Sequence, residues 1–163
     1  MGTAVFRTIV VGAALAWAMP IHAHEPHSAA ATARALPAAA RAPAATIDAF
    51  HAALRRGDTK RALGLLADDV LILEGGGAER SKAEYAAEHL GADAEYSRAV
   101  ETVVTRRSGG SDGTTAWIAS EGRSSGSFRG KAVDRITAET MVLRRFGKRW
   151  KITHIHWSSA APR

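Results

Sequence analysis

His154 and His156, in the segment Lys151-Ile152-Thr153-His154-Ile155-His156-Trp157-Ser158, are side chains whose type and spacing could do chemistry together. Residues two apart share one face of an extended strand, so both imidazoles could reach a single proton, ligand atom or metal ion. A two-residue turn at Gly147-Lys148, with glycine first, sets the register of the hairpin they belong to. Phe146 then opposes Arg149, Leu143 opposes Ile152, Met141 opposes His154 and Glu139 opposes His156. One face carries Glu139, Met141, Leu143, Trp150, Ile152, His154 and His156; the other carries Ala138, Thr140, Val142, Thr153, Ile155 and Trp157.

The histidine face is expected to turn toward a cavity lined by Glu139, Met141, His154 and His156, with Trp117, Glu121 and His89 joining it, and to pair His156 with Glu139. Three readings compete. In the first, a Glu–His pair in an apolar cavity binds a small molecule and moves protons near neutral pH. In the second, His154 and His156 ligate a metal, with Glu139, Glu74 or His89 completing an N/O set suited to Zn²⁺, Cu²⁺ or Fe²⁺. In the third, the histidines are satisfied by glutamates in a non-catalytic binding or scaffold module. His51, alone on a helix face, reads as structural.

The elements that must position these groups follow from periodicity. Thr46 caps a helix whose Ile47, Phe50, His51 and Leu54 recur at spacings of three and four, closed by Gly57-Asp58. A short helix over residues 60–67 precedes the apolar strand Val70-Leu71-Ile72-Leu73, which Gly75-Gly76-Gly77 ends. Ser81 and Glu84 form a capping box for a third helix carrying Tyr85, His89 and Leu90. Residues 100–107, 114–123, 133–145 and 150–159 then alternate as long strands. Helices first and an antiparallel meander afterwards make an α+β domain.

The N-terminal residues predict export. Arg7, an apolar run over residues 8–19 and the small-residue exit Ile21-His22-Ala23 describe a signal peptide (1–23), too short to span a bilayer. Residues 24–44 are Ala- and Pro-rich without apolar periodicity and read as a disordered tether, leaving 45–163 as one domain. The mature protein is expected in the periplasm or secreted, with no membrane span after cleavage. There is no cysteine, which excludes disulfides and thiolate metal sites. The net charge of +6 is spread in pairs such as Arg55-Arg56, Arg106-Arg107 and Arg144-Arg145 and reads as solvated surface, so no nucleic-acid partner is expected. The triple glycine lacks the Lys-Ser/Thr of a phosphate loop.

A helical hairpin, "LADDVLILEGG", a further helix and a sheet ending "ETMVLRRFGKRWKITHIHWS" resemble the nuclear transport factor 2-like superfamily over residues 45–159. Its SnoaL-like proteins, ketosteroid isomerases and the association domain of calcium/calmodulin-dependent protein kinase II share one fold. The resemblance implies a cone-shaped, curved antiparallel sheet packed against three N-terminal helices, a small-molecule pocket between them and a homodimer. Val142, Ile155 and Trp157 on the second sheet face would supply the dimer surface. "ADDVLILEGG" is similar to the ketosteroid isomerase stretch in which the general base follows two aspartates by five residues, which falls on Glu74. The resemblance thus implies Glu74 as base, with His156 assisting, in a cofactor-independent isomerisation, dehydration or cyclisation. Where the kinase association domain carries acid-binding arginines, this chain has Met141 and Ala119.

Overall fold

The computed structural model describes residues 35–163. The expected leader and most of the expected tether lie outside the described residues. Helix α1 (Ala38–Arg56) begins inside the stretch read as tether, because Ala40, Pro43 and Ala44 have somewhere to be buried. Further along, Ile47, Phe50, Ala53 and Leu54 complete its inner face. Gly57 ends it at φ 70°, donating its N–H to the last-turn carbonyls as a left-handed cap does.

Asp58 caps α2 (Thr59–Leu65) by accepting the Arg61 N–H. The chain then extends into β1 (Leu66–Glu74) and turns through Gly75 and Gly76, both at positive φ, into the short β2 (Gly77–Glu79). Ser81 caps α3 (Lys82–Glu88) through the Glu84 N–H, as its capping box requires. The expected third helix is divided at His89, after which α4 (Leu90–Ala99) leads into the sheet. Four long strands follow: β3 (Val100–Ser111), β4 (Thr115–Phe128), β5 (Lys131–Phe146) and β6 (Arg149–Ala160).

The strands form one curved, unclosed six-stranded sheet in the order β2-β1-β6-β5-β4-β3. All neighbours run antiparallel except β1 and β6, which are parallel. The helices lie on one face, where Ile47, Phe50, Leu66, Ile72, Ile118, Met141, Leu143, Ile152 and Ile155 form the core. The α+β architecture expected from the sequence is the one observed.

The last hairpin departs from its expected register halfway along. Phe146 opposes Arg149 and Leu143 opposes Ile152, as the turn dictates. A bulge then inserts Thr153, so that Val142 opposes His154, Met141 opposes Ile155, Thr140 opposes His156 and Glu139 opposes Trp157. One extra residue moves every later side chain to the other face. Ile155 and Trp157 therefore turn inward, and His154 and His156 turn outward. The physical reason is burial: Ile155 is fully buried, and enclosing such a side chain contributes about 1.5–3 kcal/mol. Two imidazoles in its place would each need a partner.

Other expected cavity residues are placed elsewhere independently of the bulge. Met141 is wholly in the core. Trp117 and Glu121 point outward, because Ala116, Ile118 and Ser120 take the buried positions of β4. Of the three residues expected on the dimer face, only Val142 is on the outer side.

Candidate functional site

A single row of side chains crosses the inner face of five strands. Glu74 of β1 is aligned with Trp157 of β6, Trp157 with Glu139 of β5, Glu139 with Ser120 of β4, and Ser120 with Arg107 of β3. Adjacent strands are ~4.8 Å apart, so Glu74 and Glu139 flank the Trp157 indole at roughly 10 Å from backbone to backbone. These five residues line a cavity of about 390 Å³ between the sheet and α1 and α4. Leu54, Val100 and Val104 supply apolar wall; Thr102, Ser124 and Thr137 add hydroxyls.

Glu139 is held from two sides. The Trp157 indole Nε1–H donates to its Oε2 at 2.8 Å, and His51 Nε2 meets the same oxygen at 2.8 Å. Burial pushes the Glu139 carboxyl toward its neutral form, but the bonds from His51 and Trp157, with the nearby Arg107 charge, outweigh burial and hold it below the ordinary carboxylate range. Glu139 is thus anionic, and its partner is His51 rather than His156. Beside it, Arg107 donates from Nη1 to Asp48 at 2.8 Å and from Nε to Ser120 at 3.2 Å. Helix α1 supplies Asp48 to Arg107 and His51 to Glu139, since the two residues are three apart and lie on one helical face.

Glu74 has the opposite environment. It ends β1 at the cavity rim, open to solvent on part of its surface only, and among the described residues no side-chain hydrogen bond holds it. Partial burial raises its carboxyl above the ordinary range, and the negative charges of Asp93 and Glu79 raise it further against the pull of His89. Asp93 of α4 also lines the cavity and is raised by burial, despite accepting the Tyr85 hydroxyl at 2.8 Å. The Tyr85 phenol is fully enclosed and pushed strongly upward by that burial and by Asp93. His89 does not enter the cavity; its Nδ1 pairs with the buried Glu79.

Of the expected site residues, the structure places Glu74 and Glu139 on the cavity wall, with Glu121 contributing to its edge from an outward-pointing position. It removes His154, His156, Met141, Trp117 and His89. His154 Nδ1 instead lies 2.9 Å from the Leu71 carbonyl, and His156 is exposed on the outer face. The metal set imagined around these histidines is not assembled, and among the described residues no cluster of three or more His, Asp or Glu could hold an ion. Sequence reasoning missed His51, Asp48, Asp93, Arg107 and Trp157. The readable clue was Ile155 beside Ile152: two core residues three apart on a strand require a bulge between them.

No helix among the described residues is long and apolar enough to cross a membrane. No curated protein matches the chain. Among solved structures, it is similar to a candidate ketosteroid isomerase from Shewanella frigidimarina, at 37% identity over 76% of this chain and 100% of that one, with a TM-score of 0.71. It shares its fold with a candidate calcium/calmodulin-dependent protein kinase II association domain from Xanthomonas campestris (24% identity, 78% and 93% covered, TM-score 0.66). A candidate dehydratase of the NTF2-like family from Streptomyces avermitilis shares it too (17%, 76% and 97%, 0.64). The SnoaL-like domain model matches residues 44–162, and the chain belongs to that family.

Proposed function

We propose that this domain binds a small molecule in the cavity and transfers protons on it, with Glu74 as general base beside a carbonyl. The observation that carries the reading is the divergence of two carboxylates in one row. Glu139 is fixed as an anion, whereas Glu74 is raised and unpartnered. Carboxylates whose environments drive them apart divide the work of acid and base. Asp93 lines the same cavity, and its charge adds to what raises Glu74. Likeness to a candidate ketosteroid isomerase makes isomerisation beside a carbonyl the reaction class to test first. No cofactor is needed for such a proton transfer.

The test has two parts. Native mass spectrometry of protein recovered from the exported fraction reads the retained small molecule and the start of the chain together, the latter expected at His24. Incubation with enolisable ketones in D₂O should then place deuterium on the carbon next to the carbonyl, read by NMR. Absence of any exchange above buffer, across cyclic and linear ketones, would leave only a binding role. Recovery of intact Met1 from membranes would overturn the export reading.

The same proposal includes a homodimer formed through the outer sheet face. Trp117 is 49% exposed there, aligned with Val142, which is itself aligned with His154; Leu71 follows on β1. An exposed apolar stripe on a sheet is better covered than wet. Trp117→Glu should therefore yield monomers in analytical ultracentrifugation at micromolar concentration. A wild-type protein already monomeric there would remove the dimer.

A further inference from the structure

We propose that the β5–β6 hairpin tip is a docking surface for an anionic lipid bilayer. The sequence Arg144-Arg145-Phe146-Gly147-Lys148-Arg149-Trp150-Lys151 places five cations and two aromatic rings in eight residues. As a linear string these looked like scattered surface charge; the hairpin folds them onto one end of the sheet. The adjoining groove brings Lys60 and Arg61 of α2 against Lys148, Arg149 and Lys151. Among the described residues, none of these seven cations forms an ion pair. Elsewhere the long strands neutralise many of their arginines: Arg106 pairs with Glu121, Arg107 with Asp48, Arg123 with Asp134 and Arg129 with Glu95.

The acids near the tip are already engaged. Asp58 caps α2, Asp68 pairs with Lys82, and Asp112 accepts the N–H groups of Thr114 and Thr115 in its own turn. Asp58 and Asp112 keep their negative charge, since an N–H bond orients a carboxylate without neutralising it, but the seven cations outnumber these three acids and this end of the sheet is net positive.

The aromatic residues decide which polyanion fits. Phe146 stands at the turn, 42% exposed, with the Arg144 guanidinium 5.1 Å from its ring centroid. An exposed ring beside cations at a convex tip suits a flat sheet of phosphates over acyl chains, where the ring enters the headgroup layer. Nucleic acid would call for a groove with rings presented for base stacking. Trp150, the one ring lining the groove, is instead packed against the core. This inference stands apart from the cavity, since no residue of the row Glu74–Arg107 takes part.

Vesicle co-sedimentation of the full chain tests it, using phosphatidylcholine vesicles and phosphatidylcholine containing about one-third phosphatidylglycerol. Any binding contributed by the N-terminal apolar run appears with both vesicles, so the increment due to phosphatidylglycerol reports the cations. That increment should be present at low salt and collapse at high salt. Each cation near an anionic surface contributes roughly fivefold in partitioning, so the double reversal Lys148→Glu with Arg149→Glu should lower the increment by more than tenfold. Phe146→Ala should lower it by a smaller factor with the salt dependence intact. Both changes lie at an exposed turn, and an unaltered circular dichroism melt confirms the fold. An increment unchanged by the double reversal overturns the proposal. So does loss of binding in millimolar inorganic phosphate, which would mean a small-anion site. Preferential capture of a single-stranded oligonucleotide at matched phosphate concentration would reassign the surface to nucleic acid.

Discussion

Glu74→Gln should abolish most proton exchange at the carbon beside a carbonyl while leaving the fold and the cavity in place. Glutamine keeps the size of the side chain and its hydrogen-bonding capacity, and at a partly exposed rim position its cost in stability is small. What it loses is basicity: an amide oxygen still accepts hydrogen bonds but does not take up a proton in this pH range. Removing a positioned general base costs about 10²- to 10⁴-fold in rate, and this variant should fall in that range with substrate binding little changed. The wild-type rate should rise with pH as Glu74 loses its proton. Because burial and the charges of Asp93 and Glu79 raise that carboxyl, the rise should be centred above the ordinary carboxylate value of ~4.3. Asp93 shares the same neighbourhood, so the profile belongs to the coupled pair. Asp93→Asn should move the midpoint down, since the charge that opposes Glu74 ionisation is gone. A variant at position 74 with full activity, or a wild-type profile flat through the acid range, would assign the proton transfer elsewhere.

The fold was legible because its signals are local. Glycine at 57 and at 75–76, Ser81 with Glu84, and alternation along four strands each determine conformation within a few residues. The site was less legible because its contacts join distant segments. His51 belongs to the apolar face of α1 by spacing, yet its role comes from Glu139, 88 positions later and two elements deep in the sheet. Tyr85 and Asp93 meet only because the helix divides at His89 and lets α4 turn back.

The histidines show how one inserted residue changes a functional reading. Strict alternation from the Gly147 turn carries His154 and His156 inward, and nothing in the turn itself announces Thr153 as extra. The Thr153 side chain bonds back to the Val142 carbonyl at 3.2 Å, anchoring the bulge on the neighbouring strand. Counting apolar surface would have detected it. The regular register leaves Ile155 and Trp157 on the outer face, while the bulged one buries Ile155 against Met141 and stacks Trp157 on Phe50, ring centroids 6.5 Å apart. Hydrophobic burial, being the larger and non-directional term, overrides the ladder's preference for regularity.

Glu139→Ala should destabilise the domain by about 1–3 kcal/mol at neutral pH, because it strands two donors together. The Trp157 indole N–H and the His51 ring both rest on Oε2, and neither has a second acceptor among the described residues. Water entering the cavity can replace part of what is lost, which places the expectation toward the lower half of that range. Glu139→Gln, which keeps one acceptor oxygen, should cost less than alanine. The pH dependence separates this loss from simple packing damage. Glu139 is held below the ordinary carboxylate range in the folded chain, so its contribution is fully present above the unfolded value near 4.3. That contribution disappears as pH falls through the lower, folded value. Glu74 and Asp93 act in the opposite sense: their raised carboxyls favour the folded state in acid, and that advantage is lost as pH climbs from the ordinary value through the raised one. Urea denaturation at a series of pH values should show the wild-type advantage over Glu139→Ala shrinking toward pH 3. A gap between the two proteins that stays constant across that range would mean that the carboxylate's charge contributes nothing and that only its volume matters.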